Sequence, residues 1–284
     1  MTPLVLFISL ASSVCGQTAP AKYPEVFPPG VKLEANLAYA QYPETVLDVF
    51  WHSAQGNKRP AMIVIHGGGW VGGSKEAVYE NFVRRYLEKG FVVANVEYRL
   101  AKAAPAPAAV EDVIRAANWF SERAAKWNVD RRRIAVTGGS AGGHLALMVG
   151  MVTKAAGLGK PPKVAAVINF YGITDVADQL SGPNMRQYAV TWIPDQPGRI
   201  ELARRLSPLT YVRRDVPPVL TIHGDADETV PYEHGVQLTK MLVDSGARAE
   251  MISVPQGGHG FPKEKLDQLY SEVFAFLARN GVLR

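Results

Sequence analysis

Hydrophobic and polar positions change rhythm once along the chain. Val31–Ala40 and Glu44–Trp51 alternate apolar and polar residues on either side of Tyr42-Pro43, the pattern of an antiparallel hairpin. From Ala61 onward, short apolar runs alternate with segments of helical periodicity. Ala61–Ile65 reads as a buried strand. A helix is expected over Lys75–Lys89, with Ser74 as its N-cap and Gly90 as its stop. Phe91–Tyr98 is the next strand, and the Ala/Pro-rich loop Ala103–Ala109 leads into a long amphipathic helix through Trp127. Ile134–Thr137 is a strand that runs straight into glycines and a helix from Ala141. Val164–Phe170, Val219–Ile222 and Ala249–Val254 are further strands, and Lys263–Asn280 is a closing helix. Such alternation implies an α/β fold: a mostly parallel central sheet with helices on both faces and the N-terminal hairpin at one edge. Ile173–Val212 breaks the rhythm with several prolines, Tyr188, Trp192 and Ile193. It reads as a small cap insertion over the sheet edge where ligands bind in such folds.

Composition narrows the class. The 284 residues are 47% hydrophobic and 20% charged, enough for one large globular domain. The net charge of +5 does not point to nucleic acid. Arg131-Arg132-Arg133 and Arg213-Arg214 are short clusters just before apolar runs, the position of solvated strand entries. Leu4–Val14 is an apolar run too short to span a bilayer and is followed by small residues. Residues 1–16 therefore read as an export signal cut after Gly16, although no Lys or Arg precedes the run. The expected product is residues 17–284, secreted or periplasmic, with no membrane segment. Cys15 is the only cysteine, so that product can use neither a disulfide nor a thiol nucleophile.

Two glycine clusters carry the chemistry. In His66-Gly67-Gly68-Gly69-Trp70-Val71-Gly72, the residues Gly67, Gly69 and Gly72 match the dinucleotide fingerprint, and Glu97 ends the next strand where a ribose-binding acid would belong. The same His-Gly-Gly-Gly run is also a loop that aims backbone N–H groups at a developing oxyanion. The second cluster, Gly138-Gly139-Ser140-Ala141-Gly142, is a G-x-S-x-G between a strand and a helix. That turn lifts the Ser140 hydroxyl above the sheet and puts the Ala141 N–H at a helix N-terminus. Asp225 and Asp227 follow the Val219 strand, and His259 follows the Ala249 strand between glycines. Nucleophile, acid and base thus occur in the order Ser, Asp, His, each just past the C-terminal end of a strand. Those ends share one edge of a parallel sheet, so the three loops can converge. Gly68 and Gly69 then become oxyanion donors beside Ala141; one such donor lowers a barrier by about 2.7–4 kcal/mol. A dinucleotide site would leave Ser140, Asp227 and His259 without a role and would put bulky Trp70 in the phosphate loop.

Taken together, His66-Gly-Gly-Gly-Trp, Asn95-Val-Glu-Tyr-Arg-Leu, Thr137-Gly-Gly-Ser-Ala-Gly-Gly-His, Leu206-Ser-Pro-Leu-Thr-Tyr, His223-Gly-Asp-Ala-Asp-Glu-Thr-Val-Pro and Gly258-His-Gly-Phe resemble α/β-hydrolases of the hormone-sensitive-lipase-like group. The nearest likeness is to bacterial carboxylesterases and acetyl or feruloyl carbohydrate esterases. The resemblance runs from about residue 30 to the C-terminus. It implies the α/β-hydrolase fold, Ser140 as nucleophile, His259 as base, Asp227 rather than Asp225 as acid, and an oxyanion hole of Gly68, Gly69 and Ala141. The substrate it implies is a small-molecule or carbohydrate ester. Many lipase-like members carry Asp before the serine where this chain has Gly139, which draws the likeness toward the carbohydrate esterases. The His66-Gly-Gly-x-Trp pattern also resembles arylformamidases, whose cytosolic role does not suit an export signal. An inactive hydrolase-fold binding module would lack a triad member, and none is missing here. Trp70, Tyr188 and Trp192 are candidates for the substrate pocket or, equally, for packing. His144 is expected to pack or bond locally, His223 to be structural, and Arg99 to pair with Glu111 or Asp112. No metal-ligand spacing such as H-E-x-x-H occurs, so neither a metal nor an organic cofactor is expected.

Overall fold

The computed structural model describes residues 23–24, 27–52 and 56–284. The expected export signal and Cys15 lie outside the described residues. The strands are β1 (Val31–Ala38), β2 (Val46–His52), β3 (Arg59–Ile65), β4 (Val92–Val96), β5 (Val129–Gly139), β6 (Val167–Phe170), β7 (Val219–Gly224) and β8 (Ala249–Val254). They form one sheet in the order β1-β2-β4-β3-β5-β6-β7-β8. β1 and β2 are antiparallel, β2 is antiparallel to β4, and all the remaining pairs are parallel. The hairpin therefore lies at one edge, as the alternation predicts. Because β4 and β5 flank β3 on opposite sides, the chain reverses its winding at β3. The loops leaving β3 and β5 open the crevice that such a switch point creates.

The helices are α1 (Arg84–Glu88), α2 (Ala108–Arg123), α3 (Ala141–Met151), α4 (Gln187–Trp192), α5 (Arg199–Arg205), α6 (Glu233–Asp244) and α7 (Lys263–Arg279). Strand alternation sorts the core into two layers. Ala61, Ile63 and Ile65 face α2, α3 and α6, whereas Met62 and Val64 face α1 and α7. Every residue of α3 is buried, which suits its Ala-, Leu- and Met-rich sequence. The 173–212 segment between β6 and β7 holds α4 and α5 between short turns.

Three expectations need correction. Lys75–Lys89 is not one helix capped by Ser74: a tight turn at Glu76–Val78 and a wide turn at Tyr79–Val83 precede the short α1. Across these turns Tyr79, Phe82 and Val83, spaced i, i+3 and i+4, still face the core together. β5 begins at Val129, not Ile134: buried Val129 already pairs with Arg59, and the exposed Arg131 and Arg132 that hide this start in the sequence follow it. β6 starts only at Val167.

Buried charge anchors the β3 loop. The Glu97 carboxylate accepts the His66 Nε2–H on one oxygen (2.9 Å) and the Lys75 N–H on the other (3.0 Å), so a single side chain holds both ends of the glycine loop. Lys75 Nζ in turn meets the fully buried Asp48 at 2.8 Å. Burial opposes the Lys75 charge, but hydrogen bonds to Asp48 and Glu76 outweigh it and raise its pKa. Arg99 chelates buried Asp112 with two contacts of 2.7 Å, choosing it over Glu111. Lys75→Met would strand the Asp48 charge. We expect it to cost about 3–5 kcal/mol in urea unfolding, with Lys75→Met/Asp48→Asn recovering part of the loss.

Candidate active site

β5 gives way to α3 at a single residue. Ser140 has φ 58° and ψ −125°, a conformation that side-chain-bearing residues rarely adopt. Close backbone packing holds it there. A Cβ on Gly142 would lie 2.1 Å from the Ile65 carbonyl oxygen, and one on Gly138 would lie 2.5 Å from the same atom. A Cβ on Gly67 would lie 2.7 Å from the Gly139 oxygen. The loops after β3 and β5 thus meet with no side chain between them. The Ser140 N–H donates to the Phe170 carbonyl at 2.9 Å, which fixes the turn against β6.

The loops after β7 and β8 bring the other two groups. His259 Nε2 lies 2.9 Å from Ser140 Oγ, and His259 Nδ1 lies 2.8 Å from Asp227 Oδ2. With Nδ1 protonated toward the carboxylate, Nε2 is left to accept the serine proton. Asp227 Oδ1 accepts the N–H groups of Thr229 (2.8 Å) and Val230 (2.9 Å). Burial works against the Asp227 charge. Hydrogen bonds from His223, His259 and the Val230 N–H overcome it and hold the carboxyl well below the usual carboxylate range. Asp225 serves the loops instead. Its Oδ1 accepts the Gln256 N–H at 2.6 Å and so ties the loop of His259 to the loop of Asp227.

Gly68 and Gly69 lie in the mouth of the same crevice with φ of 112° and 59°. The N–H groups of Gly68, Gly69 and Ala141 have no acceptor among the described residues. The glycine loop does not lead straight into a helix N-terminus, and Glu97, the would-be ribose acid, is already engaged by His66 and Lys75. The features that a dinucleotide fingerprint needs are therefore missing. Among the described residues no group of three or more His, Cys, Asp and Glu could hold a metal ion, and no helix is long and apolar enough to cross a membrane.

The BD-FAE family model matches residues 47–242, well over half of the chain. The chain belongs to the BD-FAE family. A curated relative, esterase LipC of Mycobacterium tuberculosis, is 31% identical over 78% of this chain and 58% of its own length. Esterase LipQ of the same organism is 28% identical over 77% of this chain and 54% of its own length. This chain thus spans little more than half of these relatives. Among solved structures, a truncated carbohydrate esterase from gut microbiota superposes with a TM-score of 0.76 at 27% identity, covering 92% of this chain and 99% of that one. The Thermogutta terrifontis thermophilic esterase Est2 superposes with a TM-score of 0.72 at 26% identity, covering 90% of this chain and 94% of that one. These likenesses bear out the α/β-hydrolase resemblance that the motifs carry.

In this BD-FAE chain the crevice is a cavity of about 490 Å³, lined by the glycine loop, Ser140 and His259 and walled by Val78, Phe82, Tyr171 and Tyr188. The three aromatic pocket candidates divide. Tyr188 lines the cavity, its ring where a Cβ on Gly69 would collide at 2.6 Å. Trp70 and Trp192 do not: both are fully buried and stack on each other at 4.0 Å, so they pack the 173–212 segment onto the body. Tyr171 went unnoticed in the sequence. It has φ 39°, a strained value for an aromatic residue, and sets its ring edgewise to His259 at 4.8 Å. Burial and the Asp227 charge push its phenol up to about 12. Its place directly after β6, at the ligand end of a strand, is the signal that could have found it.

His144 bonds locally, as expected. It accepts the Trp70 Nε1–H at 3.2 Å and donates from Nε2 to the Leu206 carbonyl at 2.7 Å. Burial drops its pKa to about 4, only partly offset by that carbonyl. The unfolded chain, with a histidine near its ordinary value, therefore takes up the proton first as pH falls. Stability should decline between about pH 6.5 and about pH 4 by up to roughly 3 kcal/mol from this group. His144→Gln should flatten that part of the profile in denaturant melts, though from a lower plateau.

Proposed function

We propose that the chain is a serine carboxylesterase that hydrolyses short-chain or carbohydrate-linked esters, of acetyl or feruloyl type, through an acyl-enzyme. The observation that carries this reading is the continuous chain Ser140 Oγ, His259 and Asp227, with links of 2.9 and 2.8 Å, near three backbone N–H groups that have no acceptor among the described residues. His259 Nε2 takes the Ser140 proton as Oγ attacks the ester carbonyl carbon. The carbonyl oxygen becomes an oxyanion facing the N–H groups of Gly68, Gly69 and Ala141. Asp227 holds the imidazole tautomer and stabilises the imidazolium. The tetrahedral adduct collapses, and the alcohol leaves with the proton from His259. Water then gives a proton to the same nitrogen as it attacks the acyl carbon; the acyl–Oγ bond breaks, His259 returns that proton to Ser140 Oγ, and the acid leaves. The named activities of the related proteins support the ester class. A carbohydrate alcohol suits the mixed rim, where Ser74, Asn81 and Thr229 offer hydrogen bonds beside the apolar wall. Short acyl groups fit the limited cavity, and Est2 structures with bound propionate and butyrate belong to the same fold neighbourhood.

Ser140→Ala should lower kcat on p-nitrophenyl acetate by roughly 10⁴-fold or more without changing the fold, and a fluorophosphonate should label wild type at Ser140 by mass spectrometry. Activity near wild type in the alanine variant would overturn the proposal. Asp227→Asn should cost roughly 10⁴-fold in kcat, and Asp225→Asn far less, since Asp225 acts only on a loop N–H. A panel of acetyl, butyryl and feruloyl esters and an aryl formamide then ranks the substrate classes; a clear preference for the formamide would replace the ester by an amide. The proposal includes export of the enzyme, supported by the Leu4–Val14 run. N-terminal sequencing of secreted protein should begin at Gln17.

A further inference from the structure

His223 sits on β7, four residues before Asp227, with a fully buried side chain. Its Nε2 faces two oxygens: the Val230 carbonyl at 3.0 Å and Asp227 Oδ2 at 3.3 Å. Its Nδ1 is buried and has no partner among the described residues. The tautomer that matches these surroundings carries its proton on Nε2 and leaves Nδ1 bare against the backbone of Gly235, where a Cβ would lie 3.0 Å away. A buried imidazole with one idle nitrogen is a poor packing element, because the unpaired atom loses its water without compensation. An apolar residue would fill the space without that loss. The working part of the ring is therefore Nε2–H. The oxygen it reaches, Asp227 Oδ2, is the same one that accepts from His259 Nδ1 at 2.8 Å.

We propose that His223 is a positioning residue of the site: its Nε2–H, shared between the Val230 carbonyl and Asp227 Oδ2, fixes the carboxylate rotamer and draws off part of the charge that Asp227 presents to His259. The inference rests on the Ser140–His259–Asp227 reading. Val230 is gripped twice, since its N–H donates to Asp227 Oδ1 at 2.9 Å while its carbonyl accepts from His223. Imidazole, carboxylate and the Thr229–Val230 turn thus form one closed ring of contacts. The titratable groups that face it are Asp227, and His259 through that carboxylate, Tyr232 edgewise at 5.9 Å, and His234 on α6.

The test compares His223→Leu, His223→Gln and Asp227→Asn in the full chain, with p-nitrophenyl acetate as substrate. His223→Leu should lower kcat at least tenfold with KM within about twofold, because the substrate touches neither residue. It should also move the acidic limb of the kcat/KM profile to higher pH, since Asp227 then offers its whole charge to the His259 imidazolium. His223→Gln, which can place an N–H at the same oxygen, should recover most of kcat and return the limb toward wild type. A folded His223→Leu with unchanged kcat and an unmoved limb, beside an inactive Asp227→Asn, would overturn this role and leave the triad intact. An active Asp227→Asn would instead remove the triad reading itself. If His223→Leu does not fold, His223→Gln decides alone: a folded variant with kcat down by a hundredfold would show that the N–H donor is not what His223 supplies.

Discussion

One carbonyl oxygen, that of Ile65 at the end of β3, occupies the space where a β-carbon on either Gly138 or Gly142 would have to sit. Backbone pressed on backbone at this point is what the rest of the architecture depends on. It brings the loop after β3 against the turn after β5, so that both border one crevice. It also makes the unfavourable dihedrals of Ser140 tolerable, because the surrounding contacts over-determine them. Any side chain at the contact would push the loops apart, and tighter packing elsewhere in the core could not restore the geometry.

Around this contact the histidines divide the work by burial and by partner. His66 braces the glycine loop through Glu97, His144 joins α3 to the 173–212 segment, and His234 accepts the Thr174 N–H at 3.0 Å and meets Asp178 at 3.1 Å. Among the described histidines, His259 alone combines a carboxylate on one nitrogen with a hydroxyl on the other and a face open to the crevice. The difference between the bracing imidazoles and His259 lies in the second partner and in access, since all of them use the same ring.

Much of the frame was legible because its signals are local. Ala61–Ile65 and Val219–Ile222 are runs too apolar to be anything but buried, and a serine between glycines after such a run permits few backbone paths. Asp227 and His259 could be placed because parallel strands deliver their C-terminal ends to one edge. What escaped the sequence depends on distance through space. Helix α6 was not anticipated: its buried stripe of His234, Leu238 and Leu242 is blurred by Val236 and Val243, which face outward. The expected start of the Lys75–Lys89 helix is instead held by Asp48 on β2 and by Glu97 just past β4, two partners distant in sequence. For Trp70, Tyr188 and Trp192 the choice between pocket and packing stayed open in the sequence, because an aromatic side chain near a site has the same letter whether it lines a cavity or fills the core. Full burial and the stacking of the two indoles on each other separate them from Tyr188, which lines the cavity.

The fastening of the 173–212 segment has a mechanical meaning. Trp192 is stacked on Trp70 and its carbonyl accepts the Ala106 N–H at 3.0 Å; Leu206 is bonded to His144; Arg186 donates to the Thr229 carbonyl at 2.9 Å. These fastenings reach the β3 loop, the α2 entry, α3 and the loop after β7. The segment is thereby mortared to the body on four sides and stands beside the crevice as part of its wall.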